Sequence, residues 1–310
     1  MKKKLKVAVI MGGRSSEYAI SIMTGKEVVK NLNQKKYQIQ SITLPKSGSV
    51  QQLFKLKEKV DIVFIAMYGQ DGEDGTVQGL LELLDIQYTG SKILASAIGM
   101  DKLFSRKLFI EAGLDVPRYA IIKKGEKINE SAMKLDFPLF IQPNNQGSAI
   151  GASLVKRPNG LKKAIEKAHA YSNIALVDQY LNGTEVTCAV IGNDSPKALP
   201  IVEIQPKHEY FDFESKYDAI LCDEIVPANI SRFLTRKVKE TAIKAYEVVG
   251  CMVFGRVDMI IVRNKVYVLE VNTLPGLTLV SLFPKTAKTA GITYPILLDK
   301  IINLSLQNVN

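Results

Sequence analysis

The chain has 310 residues, 46% of them hydrophobic, and 41 Lys and Arg against 31 Asp and Glu give it a formal charge of +10. That composition supports a substantial core in two or three compact units, and no apolar run reaches the roughly 20 residues that cross a bilayer. Cys188, Cys222 and Cys251 are few and far apart, which argues against a disulfide framework and a cysteine-ligated zinc site; small buried thiols in a cytoplasmic protein are expected. The positive charge is dispersed. Lys2-Lys3-Lys4 and Lys55-Leu56-Lys57-Glu58-Lys59 read as solvated faces, and no basic cluster is interleaved with aromatics. A cleft for anionic small substrates fits this pattern better than nucleic acid or a membrane.

The first third alternates strand and helix signals. Leu5 to Met11, after a basic start, is a buried strand rather than a signal peptide. A helix over Glu17 to Leu32 follows, then strands at Tyr37 to Thr43 and Ile62 to Met67, a helix over Thr76 to Leu84 and a short strand at Ile86 to Tyr88. This is a parallel α/β unit, whose ligands belong beyond the carboxyl ends of the strands. Two loops fall there: Gly12 to Glu17 and Tyr68 to Thr76. The pattern next predicts one helix from Ser96 to Glu111, a strand ending at Gln142, a glycine loop from Pro143 to Gly151 and a returning strand from Ile150 to Val155. A helix over Leu161 to Tyr171 and a strand at Ile174 to Asp178 complete an α+β unit. Strands at Glu185 to Ile191 and Ala198 to Ile204 lead to a polar stretch, Gln205 to Asp223, long enough without periodicity to read as a functional loop. A helix over Arg232 to Val249, strands at Val253 to Val262 and Lys265 to Asn272, and helices at Leu282 to Ala290 and Tyr294 to Leu304 close the chain.

The chemistry concentrates at the last strand pair, where Asn264-Lys265 is read as the hairpin turn. Strand side chains alternate, so Glu270 and Asn272 share a face, as do Arg256 and Asp258. Asp258, Glu270 and Asn272 then offer hard oxygen ligands of the kind Mg²⁺ takes beside phosphates; an acidic, solvated hairpin fits the same spacing. Arg256 could offset charge in phosphoryl transfer or simply pair with a local carboxylate. The Pro143 to Gly151 loop can aim backbone N–H groups at phosphate oxygens, although it lacks the Gly-Lys-Ser/Thr of a P-loop. Lys102, toward the start of the helix predicted over Ser96 to Glu111, can reach a phosphate or point to solvent. Glu17, after a glycine turn, can hold a substrate ammonium or favour a helix N-terminus. Lys216 and Tyr217 in the polar loop either touch substrate or tether the loop. His169 reads as structural and His208 as an exposed loop residue.

These motifs, in this order, resemble the D-alanine–D-alanine ligases of the ATP-grasp superfamily. The resemblance rests on Gly12-Gly13-Arg14-Ser15-Ser16-Glu17, Gly72 to Gly79, Tyr88-Thr89-Gly90-Ser91, Met100-Asp101-Lys102, Gly147-Ser148, Phe213 to Tyr217, Gly255-Arg256-Val257-Asp258 and Leu269 to Gly276. It implies an ATP-grasp fold with a parallel α/β domain at 1–95, a central subdomain at 96–180 and a C-terminal subdomain at 181–310. It also implies that ATP phosphorylates one D-alanine, whose acyl phosphate is attacked by the amine of a second, for peptidoglycan synthesis. In that frame Glu17 holds the first ammonium, and Glu17, Ser148 and Tyr217 close the glycine loop. Lys102 and Lys216 meet phosphates, Gln142 donates to adenine or phosphate, and Asp178, Tyr180, Leu181 and Glu185 hold the adenosine. Arg256 and the Gly276 backbone stabilise the oxyanion, and Ser281 and Leu282 receive the second carboxylate. Asp258, Glu270 and Asn272 bind two Mg²⁺ or Mn²⁺ ions. A monovalent-cation effect and a homodimer are also implied.

Four residues depart from the family pattern. Gln142 stands for a lysine, Asp178 for a hinge glutamate, Tyr68 for a histidine behind the first amino-acid pocket, and Ala149 for a second serine. They leave room for a related dipeptide or depsipeptide ligase, or for a nucleotide-binding relative with little turnover. Tyr217 argues against the depsipeptide version.

Overall fold

The computed structural model describes residues 3–129, 133–207 and 222–307. Among them the strands form three sheets. In the first, β1 (Leu5–Gly12) lies between β2 (Tyr37–Leu44) and β3 (Ile62–Ala66), all parallel. The helix Tyr18–Asn31 and the closing helix Tyr294–Leu306 pack against this sheet. Covered strands need apolar residues on both faces, which is why Val7 to Ile10 and Ile62 to Ala66 are fully buried. Tyr88 adds a parallel bridge to Val63. At the end of β1 the backbone turns at Gly12 with φ +88, where a Cβ would sit 2.3 Å from the Leu44 carbonyl oxygen; only glycine fits. The two loops after β1 and β3 thus emerge on one edge, facing the rest of the molecule.

The second sheet contains β4 (Tyr119–Lys123), β5 (Leu139–Pro143), β6 (Ser153–Val155) and β7 (Ile174–Gln179), in the antiparallel order β4-β7-β5-β6. The helix Leu161–His169 buries Leu161, Ala164, Ile165 and Ala168 against it, a stripe at helical spacing. The glycine loop joins β5 to β6. The returning strand is shorter than the Ile150 to Val155 expected, because two turns, Ile150 N–H to Gly147 O and Ala152 N–H to Ala149 O, occupy the residues before Ser153.

The third sheet comprises β8 (Thr184–Ile191), β9 (Lys197–Ala198), β10 (Val202–Pro206), β11 (Cys222–Ile225), β12 (Phe254–Val262) and β13 (Lys265–Asn272). Its order is β11-β10-β8-β12-β13, with β9 also on β8. The helix Arg232–Val249 packs on it, started by the Ser231 hydroxyl accepting from Leu234 N at 3.2 Å and ended by Gly250 at φ 77. The expected Ala198 to Ile204 strand is two pieces, since Pro200 cannot donate to a ladder. The hairpin turns at Arg263-Asn264, one residue before the expected Asn264-Lys265, with Arg263 at φ 55.

The single helix expected over Ser96 to Glu111 is two helices, Ile93–Met100 and Lys102–Glu111. Asp101 between them is extended, and its carboxylate accepts from Phe104 N at 2.9 Å; an N-cap forces the break. The break places Lys102 N–H 3.1 Å from Asn144 O and Leu103 N–H 2.8 Å from the Asn144 side-chain oxygen, fastening the new helix to the base of the glycine loop. Two segments pack beyond their sequence neighbours. Ala95 and Phe109 join the core under the third sheet. Phe283, Ala287, Leu297 and Ile301 join that of the first. Among the described residues no helix is long and apolar enough to cross a membrane.

Candidate active site

A cleft of about 450 Å³ lies between the second and third sheets. Phe140, Leu181, Ile204, Ile260 and Leu269 form its apolar part, and Lys102, Gln142, Asp178, Glu185, Asp258 and Glu270 its polar part. Tyr180 also lines it. The register of the last hairpin sets Asp258 opposite Glu270 and Arg256 opposite Asn272, so pleat and pairing together gather the four residues on one face. Arg256 grips Asp258 through Nε at 2.9 Å and a terminal nitrogen at 2.8 Å. Asn272 Nδ2 donates to Asp258 at 3.0 Å, and Thr187 Oγ1 donates at 2.5 Å. Burial works against the Arg256 charge, but Asp258, then Glu270 and Glu73, outweigh it and raise the pKa. Lys102 is only 6% exposed, which a lysine tolerates only when paired. Its ammonium lies 3.0 Å from Glu270 and donates to Gln146 O at 2.6 Å, tying the hairpin to the glycine loop.

The described residues hold no group of three His, Cys, Asp or Glu suited to a metal. Two carboxylates and the Asn272 carboxamide nevertheless make an all-oxygen donor set, and hard cations that bridge to phosphates use few protein ligands. The residues fit such an ion. Each carboxylate meanwhile leans on a cation of the chain, Asp258 on Arg256 and Glu270 on Lys102.

A second cavity of about 120 Å³ adjoins the first, sharing the hairpin as its wall. Glu17, Tyr68, Glu73, Ser148, Arg256, Asn272, Gly276, Ser281 and Leu282 line it. Ser148, at φ 52, donates from Oγ to Glu17 Oε1 at 2.9 Å. The glycine loop is therefore docked on the loop after β1. Gly69 makes the close approach possible: a Cβ there would lie 2.4 Å from Ser15 Oγ and 3.0 Å from Glu17 Oε2. Beneath, the buried Tyr68 hydroxyl accepts from Leu277 N at 3.2 Å, and Tyr294 donates to Leu277 O at 2.6 Å. The two tyrosines clamp the residue after Gly276. Burial, above all, raises the Tyr68 phenol pKa. Thr278 and Ser281 hydroxyls lie 2.7 Å apart at the start of the helix Leu282–Thr289.

Two residues had no role in the sequence reading. Glu73 stands in a quoted motif, but its place beside Glu17 needed the fold; desolvation, then the charge of Glu17, pushes its pKa up to about 8. Arg106 is fully buried and forks onto Asp178, with one terminal nitrogen on Oδ1 and the other 2.9 Å from Oδ2. Its one sequence signal is the four-residue spacing from Lys102, which sets both on the same helix face. Lys216, Tyr217 and His208 lie outside the described residues. His169 is structural, its Nδ1 lying 3.1 Å from Ser172 O, and all three cysteines are buried.

Two family models cover most of the chain: "D-ala D-ala ligase N-terminus" matches residues 6–54 and 47–91, and "D-ala D-ala ligase C-terminus" matches residues 108–303. The chain belongs to the D-alanine–D-alanine ligase family. It is 40% identical over 313 residues to the D-alanine–D-alanine ligase of Pelotomaculum thermopropionicum, covering 98% of each chain. It is 38% identical over 310 residues to that of Syntrophobacter fumaroxidans, covering 99% of each. Among solved structures it matches the Bacillus anthracis D-alanine–D-alanine ligase complexed with ATP, with TM-score 0.86, 38% identity and 98% of each chain covered. The VanG D-Ala:D-Ser ligase of Enterococcus faecalis matches with TM-score 0.86 at 33% identity, over 98% of this chain and 100% of that one. The fold is thus the ATP-grasp architecture of the ligases. Within it Gln142, Asp178 and Ala149 line the larger cleft, and Tyr68 lines the smaller.

Proposed function

We propose that the two cavities form one ATP-dependent D-alanine–D-alanine ligase site, making D-alanyl-D-alanine for peptidoglycan precursors in the cytoplasm. The observation that carries the reading is the Ser148–Glu17 hydrogen bond at 2.9 Å. It draws the glycine loop over the junction of a nucleotide-sized cleft and a cavity sized for small amino acids.

In this reading ATP occupies the larger cleft, with its ribose on Glu185 and its phosphates toward Lys102 and the loop. The first D-alanine lies in the smaller cavity, its ammonium at Glu17 and its carboxylate toward Arg256 and the Gly276 N–H. That carboxylate takes the terminal phosphoryl group. The amine of the second D-alanine, whose own carboxylate meets Ser281 and the Leu282 N–H, then attacks the acyl carbon and phosphate leaves. Arg256 and the Gly276 N–H hold the charge that develops on the oxygen. Asp258, Glu270 and Asn272 would hold two divalent cations, Mg²⁺ or Mn²⁺, which neutralise the phosphates. An acyl phosphate hydrolyses in water, so the loop held by Ser148 serves to keep the site dry. Lys216 and Tyr217 would complete the closure, and a homodimer with monovalent-cation activation belongs to the same reading.

The test is phosphate release by the purified protein with ATP and Mg²⁺, comparing D-alanine, L-alanine, D-serine, D-lactate and no addition, with products identified by mass. D-alanine-dependent release matched by D-alanyl-D-alanine is expected. A mixed product with D-serine or D-lactate in preference would replace the proposed second substrate. Nucleotide binding without release would reassign the chain as a silent relative.

A further inference from the structure

We propose that Gln142 reads the amino and N7 edge of adenine through a carboxamide that Asp178 and Arg106 lock in orientation. The inference rests on the reading of the larger cleft as the nucleotide site. Asp178 is ionisable and, as a carboxylate, only accepts hydrogen bonds. Arg106 engages both of its oxygens, and Gln142 Nε2 donates to Oδ2 at 2.7 Å. The pair is closed off from solvent, with side chains 1% and 5% exposed, and the Arg106 guanidinium also stacks over the Tyr119 ring, 5.3 Å from its centroid. Both oxygens of Asp178 are therefore engaged within the protein, and Oδ2 accepts twice.

The consequence falls on Gln142. Its nitrogen must face Asp178, because the opposite orientation would set oxygen against oxygen. The carboxamide oxygen and the second N–H then remain for the cleft that Gln142 lines. Phosphate is a poor partner for this edge, since the oxygen would face an anion. Phosphates also have a cation at the Lys102 end. A purine with a 6-amino group matches it in full: the amino N–H donates to the carboxamide oxygen, and the free N–H donates to N7. This is the bidentate pairing by which glutamine recognises adenine elsewhere. Phe140 lies two residues earlier on β5, hence on the same face, and supplies the apolar wall of the slot. A lysine at position 142 could only donate, which suits N7 and a 6-oxo group and offers no acceptor to a 6-amino group.

The experiment is equilibrium binding by calorimetry of ADP, IDP and 7-deaza-ADP, each with Mg²⁺ and without amino acid. A good bidentate pair sets the scale at about tenfold to a hundredfold between ADP and IDP. Gln142→Leu should bind ADP and 7-deaza-ADP equally, whereas the parent should prefer ADP. Gln142→Lys should bring ADP and IDP together or reverse them. Arg106→Lys keeps the charge but loses the fork; it should narrow the ADP-to-IDP ratio, which a general loss of packing would not. Unchanged ratios in both Gln142 variants would overturn the proposal, as would a parent indifferent to 7-deaza-ADP. Binding selectivity without ligase turnover would sink the proposed reaction and leave this inference standing. No binding of any nucleotide would remove both.

Discussion

Two places in this molecule repeat one arrangement: an arginine forked onto an aspartate that also accepts from a carboxamide. Arg106, Asp178 and Gln142 make the first, Arg256, Asp258 and Asn272 the second. They differ in burial. The Arg106 and Asp178 side chains are 1% and 5% exposed, whereas Arg256 and Asp258 are 15% and 14% exposed. A sealed ion pair cannot exchange partners without stranding a charge, so the first triad works as a fixed wall. An open pair can yield its carboxylate to a cation and its guanidinium to a substrate oxygen, which is the part the proposed reaction gives the second. The same chemistry holds a group fixed or leaves it free to exchange partners according to its access to solvent.

The contrast is broken most directly by removing each arginine. Arg256→Ala should lower kcat by about a hundredfold to a thousandfold, the usual effect of deleting a donor to a developing oxyanion, as read by phosphate release. Arg106→Ala should act on folding instead. Leaving Asp178 buried and unpaired costs about 3–5 kcal/mol, seen as a lower denaturant midpoint. If Arg256→Ala unfolds the chain while Arg106→Ala folds normally and loses only turnover, the division between wall and machinery fails.

Smaller changes sharpen it. Ser148→Ala removes a hydrogen bond to a carboxylate, worth about 1.5–3 kcal/mol. ATP hydrolysis without dipeptide should rise relative to coupled synthesis; an unchanged ratio would show that the loop closes without Ser148. Tyr68→Phe strands the Leu277 N–H and should cost about 1–3 kcal/mol in stability, measured by chemical denaturation. The smallest effect concerns pH. Burial and the neighbouring Glu17 push the Glu73 carboxyl from its ordinary 4.5 up to about 8, so the folded chain holds its proton more tightly. That contribution favours folding fully below the unfolded pKa and is lost as pH rises through the folded one. Glu73→Gln stays neutral and should gain thermal stability relative to the parent across that window. A difference that stays flat with pH would mean that Glu73 is ionised throughout.

The parts legible in sequence were those whose information is local. The hairpin from Phe254 to Asn272 could be read because alternation fixes which side chains share a face, and the turn lies between its strands. The helix Arg232–Val249 carries its own cap, stripe and terminating glycine. Errors fell where a local signal was outvoted: one periodic run from Ser96 to Glu111 hid the Asp101 cap, and turns in the glycine loop shortened its returning strand. Sequence by itself determined the kinds of element, the motif order that identifies the family, and which side chains of the hairpin share a face. Only the tertiary structure brought Ser148 to Glu17, Tyr68 to Leu277 and Arg106 to Asp178, separated by 131, 209 and 72 residues. It also decided which of two like triads is sealed. Burial and long-range hydrogen bonding depend on how the sheets pack, and no local period encodes that packing.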